Sequence, residues 1–227
     1  MNRLQMREEV RGNIKRKENA FSDEKINTYL NWAQERIADA HTFEEMRTST
    51  EIKTVKGKEK YDFPERMKDV YSLTLVDGSN SRKLEYVHAR RFDRMIPNPS
   101  AYSEGRPSMY VDYGTSFQLF KIPDKEYALV LRYSQYPRPL TNDNMESDLV
   151  RKDKLIIAGA TAFGFWALRE IEDAEYWNNI VYAQLLSEAI RTDHSAEDWS
   201  PQARGFSITG GILPVGEYWK SPFVRRI

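Results

Sequence analysis

Histidine is the residue type in this sequence best suited to acid–base or metal chemistry, and its spacing assembles no site. His41, His88 and His194 lie far apart, and none stands in an HExxH or HxH context. The chain has no cysteine, which excludes thiolate nucleophiles, disulfides and cysteine-ligated metals together. We therefore predict no catalytic residue, no metal site and no cofactor, and a structural or surface role for each histidine.

Two further segments resemble sites only superficially. The run GATAFG, Gly159 to Gly164, lacks the Lys-Ser/Thr pair of a phosphate-binding loop, and its small residues predict close helix packing instead. The acidic run DNMESD, Asp143 to Asp148, lacks the glycine and glutamate register of a calcium-binding loop. We interpret it as a solvated loop that leads into a helix.

Basic residues recur every four positions at the start of the chain, which places them along one face of a helix. They are Arg3, Arg7, Arg11 and Lys15. This basic stripe is a candidate surface for DNA phosphates or for an acidic partner. A solvated face is the alternative, because Glu8, Glu9 and Glu18 dilute the local field.

A second basic cluster, HARRFDR, places Arg90, Arg91 and Arg94 around Phe92. Arginines with an aromatic neighbour are one way to hold nucleic acid, but a single aromatic ring is a thin stacking platform. Ion pairs that anchor a loop are the favoured interpretation.

The C-terminal segment SITGGILPVGEYWKSPFVRRI is too apolar for an ordinary tail and too rich in glycine and proline for a helix. Aromatic residues and arginine are typical anchors of protein interfaces. We predict an arm that docks on a neighbouring protein, with packing on its own domain as the alternative. Its docking residues are Ile212, Leu213, Val215, Tyr218, Trp219, Phe223, Arg225 and Arg226.

Composition sets the frame for these features. The 227 residues suit one large domain or a domain with an insertion, and the formal net charge is zero, which argues against a global field for nucleic acid. The opening residues are charged and resemble no signal peptide. The longest uncharged apolar run, Leu155 to Leu168, has 14 residues, short of the about 20 that span a bilayer. We expect no membrane partner and synthesis in a reducing cytoplasm.

Helical patterns occupy both ends of the chain. Ser22 is a good N-cap for a helix whose apolar stripe runs through Ile26, Tyr29, Leu30, Ala33, Ile37 and Ala40. Between Lys152 and Thr192 the pattern predicts one bent helix or two. Its first part is apolar all round and therefore central in a core.

Short alternating runs fill the middle, from about Thr50 to Tyr136, and predict antiparallel strands joined by tight turns. The expected hairpins centre on Gly57, on Gly78 and on Gly114. The segment YALVLRY alternates as a further strand, and Tyr71, Leu73 and Leu75 are expected on one face.

These elements predict an α+β fold: a helical bundle from the N- and C-terminal helices, an inserted antiparallel β domain and an extended C-terminal arm. The bundle is assigned to residues 1–49 and 151–192 and the β insertion to 50–140. A loop is assigned to 141–150 and the docking arm to 193–227.

The chain resembles the head-to-tail adaptor, or connector, proteins of tailed bacteriophages, especially the short-tailed type. FSDEKINTYLNWAQERI resembles the capped early helix of that family, with its INxxLNxA run. YDFPERMKDVYSLTL resembles the family's YxLPxDFxxVxxV passage between strands. The stretch from FKIPDKEY to DAEYW resembles its Pro-x-x-Tyr hairpin, aromatic strand, P-x-x-L-(T/S) motif and small-residue helix. The similarity runs from about Ser22 to Leu186.

The resemblance implies a structural virion protein without enzymatic activity, which assembles as a twelve-subunit ring beneath the portal. It also implies that the partner of the C-terminal arm is the portal protein. Such a ring bounds a channel for passage of the double-stranded DNA genome and offers a platform to a tail or nozzle protein. The implied location is the head–tail junction of the virion, after synthesis in the host cytoplasm.

Two other classes of function stay open from the residues. Many strand tyrosines suit a β-rich module that binds a ligand such as a glycan, although cross-strand packing explains them equally well. A DNA-binding protein that uses the basic stripe is the other alternative, against which the zero net charge argues.

Overall fold

The computed structural model describes residues 1–14 and 21–193, where helices at both ends of the chain flank a strand-rich middle. The helices are α1 (Arg3–Asn13), α2 (Asp23–Ala40), α3 (Ala89–Met95), α4 (Asp153–Ala167), α5 (Ile171–Glu175), a π-helical segment (Tyr176–Tyr182) and α6 (Ala183–Thr192). The strands are β1 (Arg47–Lys53), β2 (Lys60–Asp62), β3 (Met67–Asp77), β4 (Asn80–Lys83), β5 (Glu85–Tyr86), β6 (Met109–Asp112), β7 (Ser116–Phe120) and β8 (Ala128–Gln135). Short 3₁₀ turns form at Glu44–Met46 and Pro99–Ala101. The predicted α+β class is confirmed.

Helix α2 begins where the sequence predicts. The Ser22 side chain accepts a hydrogen bond from the Lys25 backbone amide, and acidic residues occupy the first turn, where the helix dipole favours them. The predicted stripe is buried from Ile26 to Ile37, but Ala40 is exposed and Ala38 is buried in its place. The helix ends at Ala40, and of its last turn only the final two residues, Asp39 and Ala40, are exposed.

Helix α4 lies at the centre of the helical core. It buries residues on every side, as its uninterrupted apolar sequence predicts. Its glycines permit close approach: a Cβ added at Gly159 would lie 3.1 Å from the Cβ of Ala33 in α2 and 3.3 Å from the Tyr182 ring. Ile14, just after α1, fills the space beside Gly164. The packing role predicted for GATAFG is therefore confirmed. Within the described ranges, no helix combines the length and apolar character that crossing a bilayer requires.

The chain turns sharply after α4 rather than bending gently. Arg169 adopts a positive φ of 62°, and α5 starts two residues later. The following π-helical segment brings Tyr182 back against Gly159. This reversal lets the last helices cover the side of α4 that α1 and α2 leave open.

The strands form two four-stranded sheets, ordered β1-β8-β3-β4 and β2-β7-β6-β5. Their facing sides share one core, in which Leu73, Leu75, Leu129 and Leu131 of the first sheet meet Phe117 of the second. All pairs are antiparallel except β5 with β6, which is parallel.

Two of the three predicted hairpins are confirmed, namely β3–β4 around Gly78 and β6–β7 around Gly114. The hairpin around Gly57 is wrong, because β1 pairs with β8 whereas β2 pairs with β7. Gly57, with a φ of 77°, lies instead where the chain crosses from one sheet to the other. Leu84 marks another such crossing, between β4 and β5, and is buried in the shared core.

Tyr71 departs from the predicted alternation. Leu73 and Leu75 are buried, but Tyr71 is 42% exposed. The pairing of β3 with β8 shifts register between Val70 and Ser72, so Tyr71 is the extra residue of a β-bulge. One inserted residue changes which face the preceding side chains occupy.

We predict opposite effects for two helical glycines. Gly159→Val should lower the free energy of unfolding by about 1–3 kcal/mol, because the new side chain overlaps Ala33 and Tyr182. Gly12→Ala should raise it by about 0.5–1 kcal/mol, since Gly12 lies in α1 and a Cβ there has no heavy atom within 4 Å. Urea unfolding of both variants measures the difference. Equal stability of Gly159→Val and the wild type would contradict the packing described here.

Candidate functional site

The basic stripe on α1 faces the chain's own acidic loop. Arg3 donates from Nε to Asp143 Oδ1 at 3.0 Å and from Nη1 to the carbonyl oxygens of Leu140 and Thr141 at 3.0 and 2.8 Å. Arg7 donates from Nη1 to the same Asp143 oxygen at 3.1 Å. Only 7% of the Arg7 side chain is exposed. Two members of the stripe therefore hold the loop against α1.

The other two members of the stripe make no ion pair with the acidic loop among the described residues. Arg11 pairs with Glu8 at 2.9 Å and also with Asp23 at the start of α2. Lys15 lies outside the described residues. A DNA-binding or partner-binding role for the stripe stays a prediction, and such a role would require Arg3 and Arg7 to leave Asp143.

Asp143 carries the electrostatic consequence of this arrangement. Hydrogen bonds from Arg3 and then from Arg7 hold the pKa of its carboxyl below the ordinary value of 3.8. The run DNMESD is a loop before α4, as the sequence indicates, and the Asp143 side chain is 45% exposed. What the sequence does not indicate is that Asp143 is the acceptor shared by both arginines. Nothing in the spacing relates the two segments, because about 140 residues separate them.

The predicted docking arm lies outside the described residues except for its first position. Ile212, Leu213, Val215, Tyr218, Trp219, Phe223, Arg225 and Arg226 are all in that part of the chain. The described chain ends at Asp193, whose carboxylate lies 2.7 Å from His41 Nε2 and accepts a hydrogen bond from the Glu44 amide. The arm therefore starts beside the C-terminal end of α2.

The arginines of HARRFDR lie on α3. Phe92 and Ile96 anchor this helix with 2% and 6% exposure, and the Phe92 ring lies 6.0 Å from Phe120 of β7. Arg90, Arg91 and Arg94 are all exposed. The expected loop-anchoring ion pairs are wrong, since none of the three arginines makes an ion pair with any described residue.

Sequence reasoning missed an exposed aromatic row on the helical side. Trp32 of α2 and Trp166 of α4 are 50% and 40% exposed, and Phe163 lies between them at 5.9 and 5.8 Å. Arg36 lies over the rings of Phe163 and Trp166. Tryptophan and arginine on a surface are typical of interface hot spots. The available signal was Trp32, which the predicted apolar stripe of α2 leaves out.

The described part of the chain also has two open clefts. One, of about 570 Å³, lies between the helices near Glu45, Lys152 and Asp193. The other, of about 590 Å³, is lined by strands of both sheets and includes Tyr71, Tyr86 and Tyr110. Across the described residues, no three histidine, aspartate or glutamate side chains gather in a way that suits a metal ion. Neither cleft brings the predicted site residues together.

Comparison with known families decides the class. Residues 1–205 match the family model described as SU10 adaptor protein. The chain belongs to the SU10 adaptor family. This membership agrees with the resemblance to phage head-to-tail adaptors and makes the chain a phage adaptor of structural type, for which a non-enzymatic role is expected. The family description specifies no tail type, so the short-tailed type stays a prediction. No curated protein matches the sequence.

We predict that Asp143→Asn lowers the melting temperature of this adaptor by a few degrees at neutral pH, because Arg3 loses its anionic acceptor and the buried Arg7 keeps only the carboxylate of Asp23, at 3.5 Å. The folded-state pKa of Asp143 is depressed, so its contribution to stability is present above about pH 4 and is lost as the pH falls further. The difference between wild type and variant should therefore shrink below that pH.

Glu146→Gln is the matched control. Glu146 lies in the same loop, is exposed and makes no ion pair with the described residues, so its loss should leave the melting temperature nearly unchanged. Thermal unfolding from pH 3 to 8 distinguishes the two variants. A difference between Asp143→Asn and wild type that grows on acidification would contradict the account.

Proposed function

We propose that this chain is one subunit of a ring that joins the portal to the tail of a short-tailed phage. Its match to the SU10 adaptor family over residues 1–205 carries the proposal. The ring has twelve subunits and encloses a channel through which the double-stranded DNA genome leaves the head. The protein acts without enzymatic activity, cofactor or membrane, in the virion at the head–tail junction, after synthesis in the host cytoplasm.

The helices and strands divide the subunit into three parts: a helical bundle, a β insertion and a connecting loop. Residues 1–14, 21–46 and 151–192 contribute to the bundle, and residues 141–150 form the loop that leads into its central helix. The β insertion starts at Arg47 rather than at residue 50, because β1 already pairs with β8 there, and it extends to residue 140. Contacts between the parts support a stiff subunit, because Lys68 Nζ donates to the Ala38 carbonyl oxygen at 2.6 Å and Tyr136 donates to Asp39 at 2.8 Å. A stiff subunit suits a ring that must hold the tail in a fixed position relative to the portal.

Residues 193–227 form the arm that docks on the portal. Its glycines and prolines prevent regular structure, while its aromatic residues provide large apolar area for few ordered dihedrals. The polar residues up to Arg204 act as a spacer that lets the arm reach outward. Tyr218, Trp219 and Phe223 are the anchors, and Arg225 and Arg226 pair with carboxylates of the portal.

We predict that a chain ending at Arg204 keeps the melting temperature of the full chain but loses portal affinity by at least about 100-fold. The combined variant Tyr218→Ala, Trp219→Ala, Phe223→Ala should behave in the same way, because the anchors carry most of the binding energy. Ser207→Ala with Ser221→Ala is the control in the same segment and should bind as wild type. Binding to purified portal rings and entry into particles are measured. Normal entry of the shortened chain would refute the role of the arm.

Hydrogen exchange distinguishes docking on the portal from packing on the chain's own domain. We expect fast exchange throughout residues 205–227 in the free subunit and slow exchange after portal binding, because an arm that folds only on its partner has unprotected amides before binding. Strong protection in the free subunit would mean that this segment belongs to its own core.

The tyrosine-lined cleft between the sheets favours a second function, the binding of a glycan. Tyr86 is 53% exposed and contacts Tyr110 with ring centroids 5.6 Å apart, which offers an aromatic platform beside Arg82 and Asp112. A glycan array probed with wild type and with Tyr86→Ala tests it. Equal signals for both, with particle entry intact, would remove this alternative.

A further inference from the structure

Charge is unevenly distributed over the described chain. The β region, residues 47–136, carries 16 basic and 12 acidic residues. The helical body, residues 1–14, 21–46 and 137–193, carries 11 basic and 18 acidic residues. The two halves of one molecule therefore have opposite net charge, a distribution that favours contact between unlike parts of neighbouring molecules.

The basic side has a well-defined face on α3. Arg90, Arg91 and Arg94 are exposed and have no ion-pair partner in the described chain, and Met95 beside them is 49% exposed. Phe92 and Ile96 hold the helix rigidly on the sheet. A rigid, positive and partly apolar face fits a partner that is acidic and partly apolar.

The acidic side has such a face on α5 and the π-helical segment. Ile171, Tyr176 and Ile180 are 63%, 52% and 55% exposed, although they are large apolar residues. Glu172 and Glu175 are exposed among them and make no ion pair with the described residues. Residues four apart on a helix are neighbours, so the glutamates and apolar side chains form one surface.

We propose that the α3 face of one copy docks on the α5 face of a second copy. Arginines 90, 91 and 94 pair there with Glu172 and Glu175, and a guanidinium has Tyr176 within its reach as a cation–π partner. The inference rests on the ring of the proposed function and assigns its subunit contact. Because the two faces differ, the contact is head-to-tail, the type that closes into rings when the rotation permits.

Reversing the charge of either face tests this pairing. Variant A is Arg90→Glu, Arg91→Glu, Arg94→Glu, and variant B is Glu172→Arg, Glu175→Arg. Alone, each variant opposes like charges and should lower self-association on portal rings by more than about tenfold. An equimolar mixture of A and B restores opposite charges at every contact and should assemble as wild type does.

The control variant is Lys53→Glu, Lys56→Glu, Lys58→Glu, which makes the same charge change as variant A elsewhere on the β region and should assemble normally. Circular dichroism of every variant verifies folding, and sedimentation velocity with portal rings measures assembly. Failure of the A and B mixture to assemble, with both variants folded, would overturn the inference. Loss of duplex DNA binding in variant A without loss of assembly would also overturn it and assign α3 to phosphates.

Cross-linking in assembled particles gives an independent readout. The chain has no cysteine, so Arg91→Cys with Glu175→Cys gives it two thiols, both at known positions. A short bis-maleimide should link them into a ladder of adaptor multimers, whereas Lys56→Cys with Glu175→Cys should give none. Particles that contain the adaptor but show no ladder would overturn the contact and leave the proposed function intact. Absence of the wild-type chain from particles would instead refute the proposed function.

Discussion

Helix α4 is apolar on every side, and this constraint determines how the rest of the chain is arranged. Burying one large aliphatic side chain stabilises the fold by about 1.5–3 kcal/mol, and α4 buries several on faces that no single neighbour can cover together. The N-terminal helices α1 and α2 therefore cover one side of α4. The chain reversal at Arg169 brings the last helices against the remaining side. The strands are left outside the bundle, where they build their own two-sheet core.

The packing around α4 also determines which charged side chains are paired within the chain and which face outward. Arg3 and Arg7 hold the loop before α4 by donating hydrogen bonds to Asp143. Two residues of the most regular basic pattern in the sequence therefore bind the chain's own loop. The arginines of α3, in contrast, lie on a helix fixed by Phe92 and point their charge outward. A structural adaptor needs rigid subunits and outer faces that are free to bind a partner. Arg3 and Arg7 contribute to the rigidity, and the arginines of α3 provide such an outer face.

Local chemistry predicted the elements more reliably than their pairing. The Ser22 cap, the apolar stripe of α2 and the small residues of α4 act over a few positions, and the sequence therefore indicates them. The strand after Gly57 was assigned to the wrong partner, because a turn glycine indicates a reversal but not the sheet that receives the chain. The bulge at Tyr71 and the Arg7–Asp143 pair depend on residues distant in sequence, which no periodicity reports. The family was predicted from loose motifs in a fixed order, and the match over residues 1–205 confirmed it.

Electron microscopy of the intact particle, with this chain located by a small fused tag, tests the central claim most directly. A ring-forming adaptor predicts a closed ring of tag density between portal and tail. Each of its subunits should show the α4-centred bundle with the β region beside it. Tag density elsewhere in the particle, or single copies at the junction without a closed ring, would contradict the account.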